Sequence, residues 1–218
     1  MKKSWLIIIG VGFLFLISCK SVTPEVELSN STSGSGTILF QDDFSNTASG
    51  WDRLQTSDGM PDYEGGKYHI VINRPDYDFF ANPSQSFADV HIEVEATRVA
   101  GSTNNNFGII CRFVDSNDFY VGMISSDGFF GIFKVKNGDY QLLGMESMGK
   151  SDAIKQGSDA NLIRLDCKGS ILTLYANGVQ LDTRQDGDFT QGDTGLLADA
   201  YKTPGVHIAF EKFVVYQP

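Results

Sequence analysis

The sequence predicts an all-β fold, a two-sheet antiparallel β-sandwich. Three observations carry this. The stretch from Asn106 to Met145 is filled with apolar and aromatic residues and is divided by the dipeptides Asp127-Gly128 and Asn137-Gly138. Both dipeptides suit two-residue hairpins, because Asn, Asp and Gly tolerate the positive φ of a type I′ turn. Asp89 to Thr97 alternates cleanly, with Val90, Ile92, Val94 and Ala96 on one face and His91, Glu93, Glu95 and Thr97 on the other. That is the pattern of a strand with one face in a core and the other in solvent. Short segments of this kind recur along the chain, about twelve or thirteen in all, at the spacing of a sandwich or barrel. No repeat of fixed period is visible.

The elements follow in order. Ile38 to Phe44 is a first strand. Asn46 to Gly65 reads as a long loop holding Trp51, whose ring is expected to plug the domain. Gly66 to Asn73 is a strand with Tyr68, Ile70 and Ile72 on one face and His69 and Val71 on the other. Tyr63, Tyr77, Phe79 and Phe80 fall in loops on this reading, ahead of a turn at Asn82-Pro83. Asp89 to Thr97 follows, and then four strands at about Asn106–Val114, Asp118–Ser125, Phe129–Val135 and Asp139–Met145. Such a meander has a buried face and needs a second sheet to cover it. Lys150 to Gly157 could form a short helical turn. Asn161 to Cys167, then Ile171 to Ala176 and Val179 to Thr183 around the third hairpin dipeptide Asn177-Gly178, supply further strands. Asp193 to Ala200 and Val206 to Tyr216 complete the set.

The N-terminus has a different character. Lys2 and Lys3 precede an apolar run of thirteen residues, Trp5 to Ile17, followed by Ser18 and Cys19. The run is shorter than the ~20 residues that a spanning helix needs. A positive start, a short apolar core and small residues at its end are the layout of a secretory signal. The ending LISC resembles a bacterial lipobox, in which Cys19 becomes the lipidated first residue. The expected organisation is therefore a signal at residues 1–18, a lipidated Cys19 with a Ser/Thr/Gly-rich tether to residue 36, and the sandwich at residues 37–218. The expected address is the cell membrane or outer membrane, lipid-anchored, on the extracytoplasmic face. An ordinary cleaved signal or a retained short anchor is the alternative.

With Cys19 set aside, Cys111 and Cys167 remain. An even remainder in an oxidising compartment predicts one disulfide between them, and two buried thiols that never meet are the alternative. Their spacing fits no metal-ligand pattern. The chain carries 17 basic and 27 acidic side chains, a formal net charge of −10. That balance excludes a nucleic-acid binder, which needs a basic footprint, and it excludes adhesion to anionic lipid through a charged patch.

Four stretches, spanning about Ile38 to Tyr216, resemble one known superfamily. They are QDDFSNTASGWD, FGIICRFVDSNDFYVGMISSDGFFGIFKVKNG, NLIRLDCKGSILTLYANGVQLDTRQDGDFTQGDTGLLA and VHIAFEKFVVY. Together they resemble the concanavalin A-like lectin/glucanase superfamily, and within it the jelly-roll domains of 3-keto-disaccharide hydrolase type found in bacterial lipoproteins. The resemblance implies a concanavalin A-like jelly roll. It decides function less, because this fold hosts lectins, glycosidases, lyases and plain scaffolds. It also implies a possible structural Ca²⁺ tying the first and last strands together. The matching positions are Asp42 or Asp43, the backbone of Gly66, and Glu211, which stands where the family has Asp. No other cofactor is expected.

Catalytic strings are missing. Related glucanases carry their carboxylates as Glu-x-Asp-x-x-Glu or Glu-x-Asp-x-Glu on one strand, and neither occurs here. The nearest match is Glu93-Val94-Glu95, whose two carboxylates share a face. The favoured reading of that pair is a solvated outer face. There is no GxSxG, HExxH or phosphate loop, and His69, His91 and His207 lie in separate strands. The chain is rich in aromatics, with 16 Phe, 8 Tyr and 2 Trp. Most should fill the core. Of those left for ligand stacking, Tyr77 and Tyr120 are the first candidates. The expected function is non-catalytic binding, of carbohydrate, at the cell surface. The alternatives are a glycoside-active enzyme of 3-keto-disaccharide hydrolase type, and a protein-interaction or sensory ectodomain without a sugar ligand. The sequence leaves the oligomeric state open.

Overall fold

A computed structural model describes residues 36–218. The signal, Cys19 and nearly all of the tether expected from the sequence lie outside the described residues. The described part is an antiparallel sandwich of two sheets, with no helix among its elements. The first sheet runs β14 (Val179–Gln185), β13 (Ile171–Ala176), β12 (Asn161–Lys168), β6 (Val90–Ala100), β16 (Val206–Tyr216), β3 (Lys67–Ile72) and β2 (Gly59–Glu64). β1 (Ile38–Asp42) also pairs with β16, alongside its C-terminal half. The second sheet runs β10 (Asp139–Leu142), β9 (Phe129–Lys136), β8 (Asp118–Ile124), β7 (Asn105–Asp115), β15 (Gly192–Ala200) and β4 (Tyr77–Ala81). Two short strands extend it: β5 (Ser86–Phe87) on β15 and β11 (Gly149–Lys150) on β9.

Period-two alternation places the core between the sheets. Tyr68, Ile70 and Ile72 of β3 and Val90, Ile92, Val94 and Ala96 of β6 point inward from the first sheet, all essentially without exposure. Phe107, Ile109, Cys111, Tyr120, Ile124 and Ile132 come from the facing sheet. Cys111 of β7 and Cys167 of β12 are joined by a disulfide, with Cα atoms 6.8 Å apart. The bridge therefore ties one sheet to the other through the middle of the core. Trp51 is the expected plug. It is buried, its ring packs 4.9 Å from Phe213, and its indole N–H donates to Asp42 Oδ2 at 3.0 Å.

The structure departs from the sequence reading in several places, and each has a physical reason. The segment read as the loop Asn46–Gly65 ends in a strand, β2, hidden from alternation counting because Gly59, Pro61 and Asp62 are poor strand formers. Tyr63 therefore sits in a strand, and so do Tyr77, Phe79 and Phe80 in β4. Sixteen strands form among the described residues, four more than the sequence reading places: β2, β4 and the two-residue β5 and β11. The segment Lys150–Gly157 makes bends and turns and no helix. Asn137-Gly138 and Asn177-Gly178 are type I′ hairpins, with φ of 53° and 82° in one and 52° and 81° in the other. Asp127-Gly128 is not, since only Gly128 has a positive φ. There the connection is longer: Ser125 N–H donates to Phe129 O, and the Ser125 hydroxyl accepts from Phe129 N–H.

Candidate functional site

The second sheet has apolar residues on both faces, and the outer face curls. Ile110, Phe119, Val121, Met123, Val135 and Leu197 form a separate buried cluster on this outer side, flanked by Phe80, Phe113 and Phe133. A flat sheet would leave them in water. They are covered because the sheet wraps over them, bringing its edge strands toward each other. Tyr140 of β10 reaches across the hollow, packs edge-on against Phe119 at 6.2 Å, and donates its hydroxyl to Asp78 of β4 at 2.7 Å. β10 and β4 stand at opposite ends of the sheet order, so this one hydrogen bond measures the curl. Gly108 makes the bend possible: a Cβ there would stand 1.9 Å from the Gly122 carbonyl oxygen.

At one end of the hollow lies a groove of about 350 Å³. Asp76, Tyr77, Asp78, Asn106, Tyr140, Asp199 and Tyr201 line it, with Met123, Phe133 and Leu197 at its apolar side. Strand register builds its polar floor. Asp199 of β15 is paired directly with Asp78 of β4 on one side and with Asn106 of β7 on the other. Residues opposite one another in a sheet point to the same face, so the two carboxylates and the amide converge. Asn106 holds Asp199 twice, donating from its backbone N–H at 2.8 Å and from its side-chain amide at 2.7 Å. Burial pushes the Asp199 carboxyl up to about 6 against the pull of these two hydrogen bonds, and the Asp78 charge adds to the rise. Burial, with the Asp78 carboxylate beside it, likewise pushes the Tyr140 phenol up. A second hollow of about 410 Å³, lined by Asn104, Ser125, Asp127, Phe129, Met148 and others, shares Asn106 and Tyr201 with the first. The two hollows adjoin at these residues, and both are lined by aromatic rings, acceptors and amides.

Of the residues singled out from sequence, Tyr77 lines this groove, with its ring edge-on to Phe79 at 5.1 Å. Tyr120 does not. It points into the core with no exposure, and its hydroxyl donates to Asp186 at 2.5 Å while accepting from Phe189 N–H. Strand parity puts Tyr120 in the core, since its neighbours Phe119 and Val121 take the outer face; Tyr77, the first residue of β4, packs partly against the inner core and borders the groove at the strand's end. Glu93 and Glu95 lie on the outer face of the other sheet, away from the groove. The solvated face expected for them is partly closed over. Glu93 and His91 are buried and hydrogen-bonded to each other at 2.9 Å, while Glu95 pairs with Lys212 at 2.8 Å. The histidines do not stand alone either. His69 and His207 meet at 2.6 Å across β3 and β16.

The calcium candidates are engaged with the protein itself. Asp42 accepts from the Phe44 backbone N–H and the Trp51 indole N–H, Asp43 from Ser45, and Glu211 pairs with Lys67 at 2.5 Å. Among the described residues no three His, Cys, Asp or Glu side chains are placed to hold a metal ion.

Asp78, Asp199, Asn106, Tyr140 and Tyr201 were not singled out from sequence. The available signal was Asp199 itself, a charged residue breaking the apolar run Leu196-Leu197-Ala198 inside a strand.

The architecture matches solved structures across nearly the whole domain. A carbohydrate-binding module, CBM66 from Bacillus subtilis, superposes with a TM-score of 0.63 at 18% identity, over 77% of this chain and 96% of that one. The fold is a concanavalin A-like jelly roll. A Bacillus licheniformis β-glucanase superposes on this jelly roll at a TM-score of 0.60 and 11% identity, over 85% of this chain and 100% of the enzyme. A Bacteroides ovatus GH16 enzyme for mixed-linkage glucan, solved with a product, gives 0.59 at 12% identity over 82% and 100%. No protein-family model matches the sequence, and no curated protein matches it.

Proposed function

We propose that this jelly roll is a carbohydrate-binding domain, held at the extracytoplasmic face of a membrane through a lipid on Cys19, and that its concave groove is the binding surface. The observation that carries the reading is the groove itself. Tyr77, Tyr140 and Tyr201 border a hollow whose polar groups, Asp78, Asp199 and Asn106, are fixed by strand pairing. Sugars present apolar C–H faces and a ring of hydroxyls, and sites that hold them combine aromatic rings with a few placed acceptors and donors. The adjoining hollow gives room for more than one residue of a chain. The module and the two glycan-acting enzymes of the same fold support this choice of ligand class.

The test is a glycan array on the purified protein, followed by calorimetry on any hit. A shallow groove with few anchors should bind in the micromolar to millimolar range, ~4–8 kcal/mol. Tyr77→Ala and Tyr201→Ala should each weaken binding about tenfold, or ~1.4 kcal/mol. Glu93 and Glu95 changed together to Gln should leave it intact. Absence of binding to every polysaccharide overturns the reading in favour of a protein-interaction domain.

A second reading, hydrolysis of a glycoside as in the 3-keto-disaccharide hydrolase type, has one observation in its favour. Asp78 and Asp199 face each other across β4 and β15, and one of them keeps its proton to about pH 6. Against it, both Asp199 oxygens accept from Asn106, which favours the ionised form over the protonated form that a general acid must hold. Release of sugar that stops in Asp78→Asn would favour the enzyme.

A further inference from the structure

We propose that the groove selects a positively charged glycan, one carrying free amino groups, over a neutral or N-acetylated one. The inference rests on the sugar-binding reading above and assigns its ligand class. The cavity and its tyrosines define the site, and the charge balance inside it decides what fits. Asp76, Asp78 and Asp199 all line the groove. Among the described residues none of the three is paired with Lys, Arg or His; Asp78 is bonded to Tyr140 and Asp199 to Asn106. The cations nearby sit at the rim and are turned to rings and to other acids. The Arg74 guanidinium lies 4.8 Å from the centre of the Tyr77 ring and 3.5 Å from Asp58. The Lys202 ammonium lies 5.1 Å from the Tyr201 ring.

Facing carboxylates at the floor of a half-enclosed groove repel each other, and burial weakens their solvation. The Asp199 carboxyl registers both effects in its upward shift. A neutral sugar can donate hydroxyl protons to these oxygens, but it leaves the repulsion in place. An ammonium group on the sugar would donate to the same oxygens and cancel the charge. Tyrosine faces add to this preference, since ring quadrupoles attract cations, and the rim already shows it at Tyr77 and Tyr201.

The test compares three oligosaccharides of equal length on the full chain by calorimetry near neutral pH: a glucosamine oligomer, its N-acetylated counterpart and a glucose oligomer. The expected result is that the glucosamine oligomer binds at least about tenfold more tightly than the other two. Raising the ionic strength should erase most of that margin. Asp78→Asn should reduce the margin between the charged and the neutral oligomers, and the salt series on unaltered protein reads the same effect without any substitution. Equal binding of all three, or a preference for a neutral one, overturns the charge selection and leaves the sugar-binding reading standing. If no oligomer binds, the charge selection falls, and the glycan array alone decides the sugar-binding reading.

Discussion

Replacing Asp199 by Asn tests which force governs the floor of the groove. Burial and the Asp78 charge raise the Asp199 carboxyl; two hydrogen bonds from Asn106 oppose them. If burial wins, the folded chain keeps this proton to about pH 6, whereas the unfolded chain releases it near the ordinary 3.8. Between those values the folded state binds more protons than the unfolded state, so stability falls as pH rises, and the full deficit is present above about 6. A difference of about 2 units at ~1.36 kcal/mol each amounts to about 3 kcal/mol, an upper figure because the groove is open to solvent on one side.

The variant cannot titrate here. It also loses one bond to the Asn106 amide, but that cost does not vary with pH. Urea unfolding of both proteins at a series of pH values isolates the effect. Wild type should lose up to about 3 kcal/mol relative to Asp199→Asn between about pH 4 and pH 7. Several other carboxylates titrate in both proteins and cancel in the comparison, among them Asp62 and Asp186, whose pKa values partners hold low. Parallel curves would refute the reasoning. A wild type that gains on the variant as pH rises would show that Asn106 outweighs burial and that Asp199 is charged throughout the range tested.

Other outcomes follow from the same structure. Replacing Cys111 and Cys167 together by Ala opens a loop with a sequence separation of 56 and should cost up to ~4 kcal/mol by chain entropy, read as a lower urea midpoint. Trp51→Phe strands Asp42 Oδ2 without its donor in a buried setting and should cost about 1–3 kcal/mol, beyond the smaller ring. Gly108→Ala drives a Cβ against the Gly122 carbonyl and should lower the melting temperature by several degrees or abolish folding, because backbone on the next strand cannot move aside. On the proposed lipid anchor, which lies outside the described residues, Cys19→Ser should release the protein from the membrane fraction, and equal retention of the variant would exclude it.

How much of this was legible in the sequence depended on which pattern carried it. Alternation placed β3 and β6 on the correct faces residue by residue, because each has one face in the core. The Asn-Gly dipeptides located two hairpins, since few other pairs accept positive φ twice. Cysteine parity named the disulfide before the sheets were known to face each other at that point. β2 and β4 escaped because Gly, Pro and Asp interrupt their apolar pattern, and sheet edges tolerate such residues. Tyr120 was misplaced by parity: in the run Phe119-Tyr120-Val121 every residue is buried, so nothing in the sequence says which face is the core.

That ambiguity is itself the mark of the site. A strand with one solvated face alternates; β7 and β8 do not, because both of their faces are covered. In a two-layer sandwich an outer face can be covered only by another element or by the sheet curling over itself. No third layer lies over this sheet among the described residues, and the Tyr140–Asp78 bond across its two edges shows the curl. A continuous apolar run in the central strands of such a sandwich therefore predicts a concave outer face, and with it a groove. The polar residues that interrupt those runs toward one end, Asn106 in β7 and Asp199 in β15, are where the hollow turns from a second core into a surface able to hold a polar ligand.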